Sequence, residues 1–599
     1  MPVGLLLDHN GGIRSHCYSA YLGRSMNSDP LRGFAPQIPQ IFSQQWGQIL
    51  AMLQSGAAAK PAAETAPAAP ALQFDPQKLQ SLQQRYQREL TRLWSHASQP
   101  AAEAPKDKRF AADSWRSQPG AALMAEVYLL NSQTLMDLAD ALQADEKTCR
   151  RIRFAVEQWT AALSPSNSLA FNPEAQQKLI ASQGASLAKG ISNLLHDMQQ
   201  GHLSMTDESR FEVGKNMATT EGAVVFENEL FQLIEYKPLT DKVSERPLLM
   251  VPPCINKYYI LDLQPESSLI RYAVAQGQHT FVVSWRNPDA SLAKASWDDY
   301  IDGAVLTAIE RVREISGAEQ INTLGFCVGG TMLTAALGVL AARGEKSVAS
   351  ATLLTTLLDF SDTGILDIFI DEPMVRYREW QMGQGGLLKG QELASTFSFL
   401  RPNDLVWNYV VGNYLQGQTP PPFDLLYWNS DSTNLPGPYY AWYLRNLYLE
   451  NKLVQPRALT VCGEPLDLSQ LDIPVYIYGS REDHIVPINA AYASTRHLPG
   501  RKRFVMGASG HIAGVINPPA KNKRSHWIRD DEQLPENHSD WLDGASERPG
   551  SWWTDWSQWL AQHGGKQIAA PKRYGRGKAF QQIEPAPGRY VRQKAGANS

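Results

Sequence analysis

A cysteine in a glycine-rich turn is the residue of this sequence best suited to do chemistry. It lies in Gly325-Phe-Cys327-Val-Gly-Gly, which follows the apolar run 321–324 and opens a helical stretch over 331–343. Glycines two residues before and after Cys327 let the backbone pass close to the thiol. The helix start favours a thiolate, and the N–H of Val328 is expected to point toward an oxyanion. The alternative is a buried structural cysteine in a tight turn.

Two later strands end in residues that could complete a catalytic triad. The run 473–478 leads into Gly-Ser-Arg-Glu-Asp483, and the run 503–506 leads into Gly-Ala-Ser-Gly-His511. Nucleophile, acid and histidine in this chain order are typical of α/β-hydrolases, here with cysteine in place of serine. We expect His511 to take the proton of Cys327 and Asp483 to orient the imidazole.

Neighbouring residues compete for these two roles. Glu482 is an alternative to Asp483 as the carboxylate, and His484 is an alternative to His511 as the base. His484 is so close to Asp483 in sequence that it is better suited to line the entrance. The other ten of the 12 histidines are scattered without metal-ligand spacing, so we predict no metal site and no cofactor.

The loop after an early strand is a candidate for the second oxyanion donor. Its sequence is Pro252-Pro-Cys254-Ile255-Asn-Lys, in the place where α/β-hydrolases supply that donor. We assign the role to the backbone N–H of Ile255 and expect the Cys254 thiol to be a small apolar wall residue. Asp262, further along, is a candidate for orienting the substrate, with a helix cap or an ion pair as the equal alternative.

An insertion is predicted between the nucleophile and the acid. The stretch from Cys327 to Asp483 is longer than a sheet and its crossover helix require, which indicates a cap at about 360–455. The cap is rich in aromatic residues, which usually form core but above a nucleophile also suggest an apolar channel. Arg401 and Arg445 are candidates for binding a phosphate-bearing arm of a substrate.

The predicted secondary structure that positions these residues is helical in the N-terminal part of the chain and mixed in the rest. Residues 74–212 carry Leu, Met, Ala and Gln at helical spacing and predict a helical N-terminal domain. Residues 213–599 alternate apolar strands with helices, which predicts an α/β fold, namely the α/β-hydrolase fold with an inserted cap. The predicted strands cover 248–251, 280–284, 320–324, 349–354, 475–478 and 504–506, and the clearest helices cover 297–315 and 331–343.

The two ends of the chain differ in composition from its centre. Residues 1–73 read as a leader and an Ala/Pro-rich linker, are predicted to be disordered, and contain Met26 as a candidate start. The tail over 571–599 holds seven Lys or Arg and one Glu. This composition predicts a solvated tail, with contact to an acidic or polymeric surface as the alternative.

Composition narrows the functional classes. The 599 residues are 43% hydrophobic and 19% charged with a net charge of −4, which excludes a strongly basic nucleic-acid binder. Five cysteines at irregular spacing exclude a disulfide scaffold and fit a reducing cytosol. The sequence holds no uncharged apolar run of about 18 residues, so we predict no transmembrane segment. The one unusual feature of the composition is the high number of tryptophans, which is 16.

Together these motifs resemble those of class I polyhydroxyalkanoate synthases, over roughly residues 110–570. The N-terminal helical region and the length also look like that class. The resemblance rests on Pro252-Pro-Cys-Ile-Asn-Lys-Tyr-Tyr-Ile-Leu-Asp, Ser284-Trp-Arg-Asn-Pro, Gly325-Phe-Cys-Val-Gly-Gly, Tyr478-Gly-Ser-Arg-Glu-Asp-His-Ile-Val-Pro and Gly507-Ala-Ser-Gly-His-Ile-Ala-Gly.

The resemblance implies that Cys327, Asp483 and His511 polymerise (R)-3-hydroxyacyl-CoA, typically 3-hydroxybutyryl-CoA, and release CoA. It also implies a cytoplasmic homodimer that works at the surface of a polyhydroxyalkanoate granule. Trp428 lies in a segment that looks like the family's and is implied to support the pocket or the dimer face. From the residues alone, a thioesterase or depolymerase with the same triad stays open. A granule-coating protein without activity is a further alternative, against which the intact triad argues.

Overall fold

The computed structural model describes residues 73–96 and 106–595. The predicted leader, the linker up to residue 72 and Met26 lie outside these residues. Gln73–Phe74 pairs antiparallel with Leu142–Gln143 in a short ladder. The described parts of Asp75–Ala141 and Asp145–Ser599 form one compact unit.

An eleven-stranded mixed sheet runs through this unit. In chain order its strands are β1 (Gly222–Glu227), β2 (Phe231–Tyr236), β3 (Leu248–Val251), β4 (Thr280–Trp285), β5 (Ile321–Phe326), β6 (Val348–Leu354), β7 (Val475–Ser480), β8 (Lys502–Gly507), β9 (Ser525–Ile528), β10 (Ser546–Pro549) and β11 (Glu584–Pro585). Their spatial order is β10-β9-β8-β7-β6-β5-β3-β4-β2-β1-β11. The strands from β8 to β4 in that order are parallel, and the flanking strands are antiparallel.

The parallel strands are those that the sequence predicts, and β3 has the predicted bounds. Their apolar runs are explained by burial on both faces of the sheet. The antiparallel strands are not predicted, and several of them mix polar with apolar residues, although β1 carries the apolar run 223–226. β2 buries Gln232 and Glu235, and β10 is exposed along its whole length. The α/β-hydrolase fold predicted from the parallel strands is confirmed.

Helices surround the sheet and build the cap. The α-helices are α1 (Pro76–Ser95), α2 (Asp113–Ser117), α3 (Pro119–Asp140), α4 (Glu146–Ala162), α5 (Pro173–Ala181), α6 (Ala185–Gln200), α7 (Leu269–Ala275), α8 (Trp297–Tyr300), α9 (Thr307–Ser316), α10 (Val328–Ala342), α11 (Glu372–Met382), α12 (Gly390–Phe399), α13 (Asp424–Ser430), α14 (Gly437–Tyr443), α15 (Ile488–His497), α16 (His511–Val515), α17 (His538–Asp543) and α18 (Trp553–His563). A π-helix, Ile301–Leu306, joins α8 to α9, so the helix predicted over 297–315 is one continuous element. Three further π-helices lie in the cap, over Asn403–Trp407, Val410–Leu415 and Leu444–Leu449.

The N-terminal helices pack against the inserted cap. Asp367 of the cap accepts hydrogen bonds from Lys147 at 2.8 Å and from Arg150 at 2.7 Å, both on α4. The hydroxyl of Tyr414 donates to Asp197 of α6 at 2.7 Å. The helical region and the cap therefore belong to the same compact unit.

Part of the basic tail packs on the folded unit, while Lys572, Arg573 and Lys578 are exposed, as predicted for a solvated tail. Its strand β11 pairs with β1. Arg589 contacts Glu227 at 2.7 Å, and Lys594 contacts Asp431 at 3.2 Å. These two cations therefore pair with acidic side chains that lie far from them in the sequence.

Candidate active site

The nucleophile candidate Cys327 occupies the sharp turn between β5 and α10. Its backbone has φ 54° and ψ −128°, a conformation that costs a non-glycine residue about 1–3 kcal/mol. A Cβ at Gly329 would lie 2.3 Å from the carbonyl oxygen of Val251, and a Cβ at Gly330 would lie 2.1 Å from Oγ1 of Thr356. The glycines therefore let the turn approach the end of β3, and the structure leaves Cys327 partly exposed.

The predicted oxyanion donors Val328 and Ile255 lie at the start of α10 and on the loop after β3. Val328 is the first residue of α10, so its N–H has no acceptor within the helix. Ile255 lies on the loop after β3, and its carbonyl accepts a hydrogen bond from the N–H of Thr433 in the cap at 2.9 Å. The oxyanion roles of Val328 and Ile255 stay predictions, but both segments are held by neighbouring structure.

Cys254 has the surroundings of a wall residue. It is 2% exposed, and its sulfur lies 3.3 Å from the hydroxyl of Tyr439. Burial raises the pKa of the Cys254 thiol to about 12, which opposes thiolate formation at neutral pH. These surroundings fit the prediction that Cys254 is an inert apolar side chain.

The candidate acid and base meet beyond the ends of β7 and β8. Nδ1 of His511 donates to Oδ2 of Asp483 at 2.6 Å, and both side chains are buried. Oδ1 of Asp483 accepts from the backbone N–H groups of Ile485 and Val486 at 2.8 and 2.9 Å. The charge of Cys327 reaches the imidazole and raises the pKa of His511. One carboxylate oxygen is thus fixed by the loop, and the other holds the imidazole toward the thiol.

The electrostatics of this cluster favour a proton on the histidine. Burial alone lowers the pKa of His511, but the charges and hydrogen bonds of Asp483 and Cys327 raise it to about 10. Phe326 stacks on the imidazole with ring centroids 5.9 Å apart, which fixes the plane of the ring. The arrangement can therefore hold a thiolate beside an imidazolium.

The competing residues are less well placed. The side chain of Glu482 is 62% exposed and pairs with Arg481 at 3.3 Å. His484 is partly buried, and burial lowers its pKa. The Asp483 carboxylate is bonded to His511 and to the loop backbone, which favours His511 over His484 as the oriented base.

His484 is influenced by several charges around it. Burial is the main cause that lowers its pKa, the charges of His511 and Arg401 lower it further, and the charge of Asp483 opposes them. Arg401 is half exposed and contacts Asp404 at 2.6 Å. These positions suit side chains that meet a ligand as it enters.

Arg445 has a different role from the predicted one. Its guanidinium contacts Glu372 and Glu379, each at 2.7 Å, and its side chain is 19% exposed. The two carboxylates lie on α11, so Arg445 joins that helix to the π-helix Leu444–Leu449. It is engaged in holding the cap together rather than open to a phosphate.

Asp262 and Trp428 are both buried. Oδ1 of Asp262 accepts from the hydroxyls of Thr220 and Ser268 at 2.6 Å each, and Ser268 caps α7. Asp262 therefore bonds to the residue that caps α7 and does not form the cap itself, and its predicted roles stay predictions. Nε1 of Trp428 donates to the carbonyl of Lys257 at 2.7 Å, so this ring supports the loop after β3.

Two cap tyrosines feel the charge of the nucleophile candidate. Burial is the largest cause that raises the pKa of Tyr443 and of Tyr448, and the charge of Cys327 adds to the rise in both. The rings of Tyr443 and Tyr448 meet edge to face at 5.2 Å, and Phe360 packs on Tyr448 at 5.0 Å. Part of the predicted aromatic cap is therefore within electrostatic range of Cys327.

Sequence reasoning misses the residues that hold the base in place. Nε1 of Trp552 and Nε1 of Trp553 donate to the carbonyls of Gly514 and Val515, at 3.2 and 2.9 Å. Both acceptors lie on α16, the short helix that begins at His511. The signal in the sequence is the crowding of tryptophans between 527 and 559.

Two searches of the described residues found nothing. No group of three or more His, Cys, Asp or Glu within 73–96 and 106–595 could hold a metal ion. In the same residues, no helix combines the length and apolar character that crossing a membrane needs.

Two family models match overlapping parts of the chain. Residues 106–273 match the family model described as the N-terminus of poly-beta-hydroxybutyrate polymerase, and residues 247–518 match the alpha/beta hydrolase fold. The first match extends beyond the boundary predicted at 212. Among solved structures, the monoacylglycerol lipase of Paleococcus ferrophilus has a TM-score of 0.33 and 13% identity, covering 56% of this chain and 100% of that one.

Curated relatives span most of the chain. The poly(3-hydroxyalkanoate) polymerase subunit PhaC of Cupriavidus necator is 62% identical over 87% of this chain and 89% of its own. The poly(3-hydroxyalkanoate) polymerase of Methylorubrum extorquens is 39% identical over 84% of each chain. The glycine-rich cysteine turn, the buried His511–Asp483 pair and this similarity lead to one conclusion. The chain belongs to the class I polyhydroxyalkanoate synthase family and is an enzyme with the α/β-hydrolase fold.

Proposed function

We propose that this enzyme polymerises (R)-3-hydroxyacyl-CoA, typically 3-hydroxybutyryl-CoA, into a polyester and releases CoA. The observation that carries the proposal is the buried hydrogen bond between His511 and Asp483, together with a charge on Cys327 that is near enough to raise the pKa of His511. In the proposed mechanism Cys327 is the nucleophile, His511 carries the proton, and Asp483 orients the ring. The names of the relatives support the polymer as the product.

The first half of the cycle loads the enzyme. Cys327 gives its proton to His511 and attacks the carbonyl carbon of the substrate thioester. The N–H groups of Val328 and Ile255 stabilise the oxyanion that forms. When the bond from carbon to the CoA sulfur breaks, the imidazolium returns its proton to the CoA thiolate. The products are free CoA, an acyl thioester on Cys327 and a neutral His511.

The second half of the cycle forms the ester bond. Neutral His511 takes the proton of the 3-hydroxyl of another acyl group, and the oxygen attacks the thioester on Cys327. The ester forms and the thiolate leaves, which restores the thiolate and imidazolium pair. Transfer from one thioester to another is nearly thermoneutral, so the cysteine keeps the energy that ester formation needs. A serine ester would lose that energy.

Water is the competitor of the 3-hydroxyl in this second half. The buried ring of Tyr443 and the partly buried ring of Tyr448, both within range of the charge of Cys327, support exclusion of water from the thioester. Arg401 and His484, at the edge of the site, are proposed to meet the phosphate-bearing arm of CoA. We further propose that the enzyme works as a cytoplasmic homodimer at the polymer granule surface, as the family resemblance implies.

Incubation of the purified chain with 3-hydroxybutyryl-CoA tests the proposal. CoA release together with insoluble polyester is the expected result. Release of CoA with only free hydroxy acid would identify a hydrolase, and no release of CoA would fit a coat protein. Sedimentation of the chain alone tests the dimer, and a panel of C4 to C10 hydroxyacyl-CoA substrates tests the chain-length preference.

A further inference from the structure

The loop that carries Ile255 is tied to the cap at several points. Residues 252–257 follow β3 directly. The N–H of Thr433 donates to the carbonyl of Ile255 at 2.9 Å, and Nε1 of Trp428 donates to the carbonyl of Lys257 at 2.7 Å. These hydrogen bonds from Thr433 and Trp428 of the cap therefore hold the loop in position.

Lys257 ends this loop with a buried cation that the triad does not use. The residue is 3% exposed, and its Nζ donates to the carbonyl of Gln593 at 2.6 Å. Burial lowers the pKa of Lys257 to about 8, and the charge of Asp431 opposes that change. Taking an ammonium out of water is costly, so packing alone would be better served by an apolar side chain of the same length.

Lys594, in the C-terminal segment, also forms polar contacts in this region. Its Nζ lies 3.2 Å from Oδ1 of Asp431 and 5.0 Å from the centroid of the Tyr427 ring. Oδ2 of Asp431 accepts from the hydroxyl of Tyr259 at 2.9 Å. The carboxylate of Asp431 is almost fully buried, so these contacts are little screened by solvent. The loop after β3, the cap and residues 593–594 therefore meet in one polar cluster.

We propose that Lys257 and Lys594 are positioning residues that fix the loop after β3, so that the N–H of Ile255 stays directed at the oxyanion. Lys257 acts through the carbonyl of Gln593, and Lys594 acts through Asp431. This inference rests on the proposed function, because the oxyanion forms only when Cys327 attacks a thioester. A displacement of an oxyanion donor by about 1 Å can lower a rate roughly 100-fold.

The variant Lys257→Met tests the inference, because methionine keeps an unbranched side chain of similar bulk and removes the buried charge. We expect kcat for CoA release from 3-hydroxybutyryl-CoA to fall about 10- to 100-fold. We expect KM to change by less than about 3-fold and Tm to stay within a few degrees, since the cost of burying the ammonium is removed. The control is Lys215→Met, at a lysine 73% exposed and paired with Glu212, which should leave kcat and KM unchanged.

A second pair of variants covers the case in which Lys257→Met fails to fold. Lys594 is half exposed, so Lys594→Met should fold and should also lower kcat, whereas Lys594→Arg keeps the cation and should restore it. Alkylation of Cys327 by iodoacetamide should proceed at the unaltered rate in every variant, because it needs the thiolate but no oxyanion hole.

Three results overturn the inference. The first is unchanged kcat in both methionine variants, and the second is a fall in kcat that follows Tm and is not rescued by Lys594→Arg. The third is slower alkylation of Cys327, which would place the defect at the nucleophile. If the full chain releases no CoA, the proposed function fails and the inference falls with it. If the full chain is active and the variants are unaffected, only the inference about Lys257 and Lys594 fails, and the proposed function stands.

Discussion

At the scale of single residues, the site pairs a strained nucleophile with a buried acid and base. Cys327 holds a positive φ of 54°, and the bond from His511 to Asp483 is 2.6 Å long. Backbone strain of this kind is kept where the surrounding structure enforces it, which here is the close approach of α10 to the end of β3. The geometry separates the residue that bonds to substrate from the residues that handle the proton.

Substitutions should rank the three triad residues. Cys327→Ala should lower the rate of CoA release by about 10⁵-fold or more, because no covalent intermediate can form. Asp483→Asn should cost less, about 10³- to 10⁴-fold, because Asp483 orients the imidazole and transfers no proton itself. CoA release measured with a thiol reagent checks the order, and circular dichroism checks that the fold is kept. Substantial turnover by Cys327→Ala would remove Cys327 from the role of nucleophile.

The raised pKa of His511 predicts how stability depends on pH. The folded state holds this proton to about pH 10, whereas an unfolded histidine releases it near pH 6.5. The contribution of His511 to stability is therefore complete below about pH 6.5 and is lost as the pH rises through about 10.

Urea unfolding of the parent chain and of His511→Gln at several pH values measures this contribution. The difference in the free energy of unfolding should shrink between about pH 6.5 and 10. The control is His196→Gln, at an exposed histidine on α6. A difference that stays constant or grows with pH would contradict the electrostatic account of the site.

At the scale of elements, three loops at the ends of parallel strands bring the site together. The turn after β5 carries Cys327, the loop after β7 carries Asp483, and the loop after β8 carries His511. Strands β7 and β8 are hydrogen-bonded neighbours, which brings the acid beside the base. Trp552 and Trp553 donate hydrogen bonds to α16 and so help to hold His511 in position.

The variant Gly329→Ala tests the close approach of α10 to β3. The new Cβ would lie 2.3 Å from the carbonyl oxygen of Val251, which is backbone and has little freedom to move. We expect a loss of about 1–3 kcal/mol of stability and a lower kcat, because the turn must move away from the oxyanion loop. The matched control is Gly120→Ala in α3, where nothing lies within 4 Å of the new Cβ and stability should hold or rise.

Thermal unfolding and CoA release measure both glycine variants. Equal stability and equal kcat of the two variants would show that the close packing of the turn at Cys327 has no effect on the site.

The parallel strands and the three candidate triad residues are predictable because each depends on local sequence. An apolar run, a glycine-rich loop and a reactive side chain lie within a few residues of one another around Cys327 and His511. Arg445 shows the limit of such reasoning. The sequence reveals a cation in the cap, but the carboxylates of Glu372 and Glu379 that engage it come from a helix far away in the chain.

The tail shows the same limit. Its composition is that of a solvated segment, yet Arg589 pairs with Glu227 on the strand that β11 joins. Pairing between distant parts of the chain is set by the tertiary fold, so it cannot be predicted from composition. The edge strands are missed for the same reason.

At the scale of the whole molecule, the N-terminal helices support the cap. Helix α6 packs so closely on the π-helix Val410–Leu415 that a Cβ at Gly190 would lie 2.0 Å from the carbonyl oxygen of Tyr414. Since cap residues stand beside Cys327, the position of the N-terminal region bears on the environment of the site.

The variant Gly190→Ala should separate α6 from the cap. We expect a loss of about 1–3 kcal/mol of stability and faster amide hydrogen exchange over Val410–Leu415, because the new methyl group meets backbone. Exchange in α16, which the tryptophans hold, should stay the same. Unaltered exchange over Val410–Leu415 would mean that the N-terminal helices do not hold the cap in solution.

We propose that the polymer grows as a thioester on Cys327. Mass spectrometry of the peptide that contains Cys327, after incubation with 3-hydroxybutyryl-CoA and an acid quench, is the decisive measurement. We expect a peptide heavier by one or more hydroxybutyryl units, sensitive to hydroxylamine and absent from Cys327→Ala. Release of CoA without acyl groups on Cys327, or with acyl groups on another residue, would exclude Cys327 as the site of polymer growth.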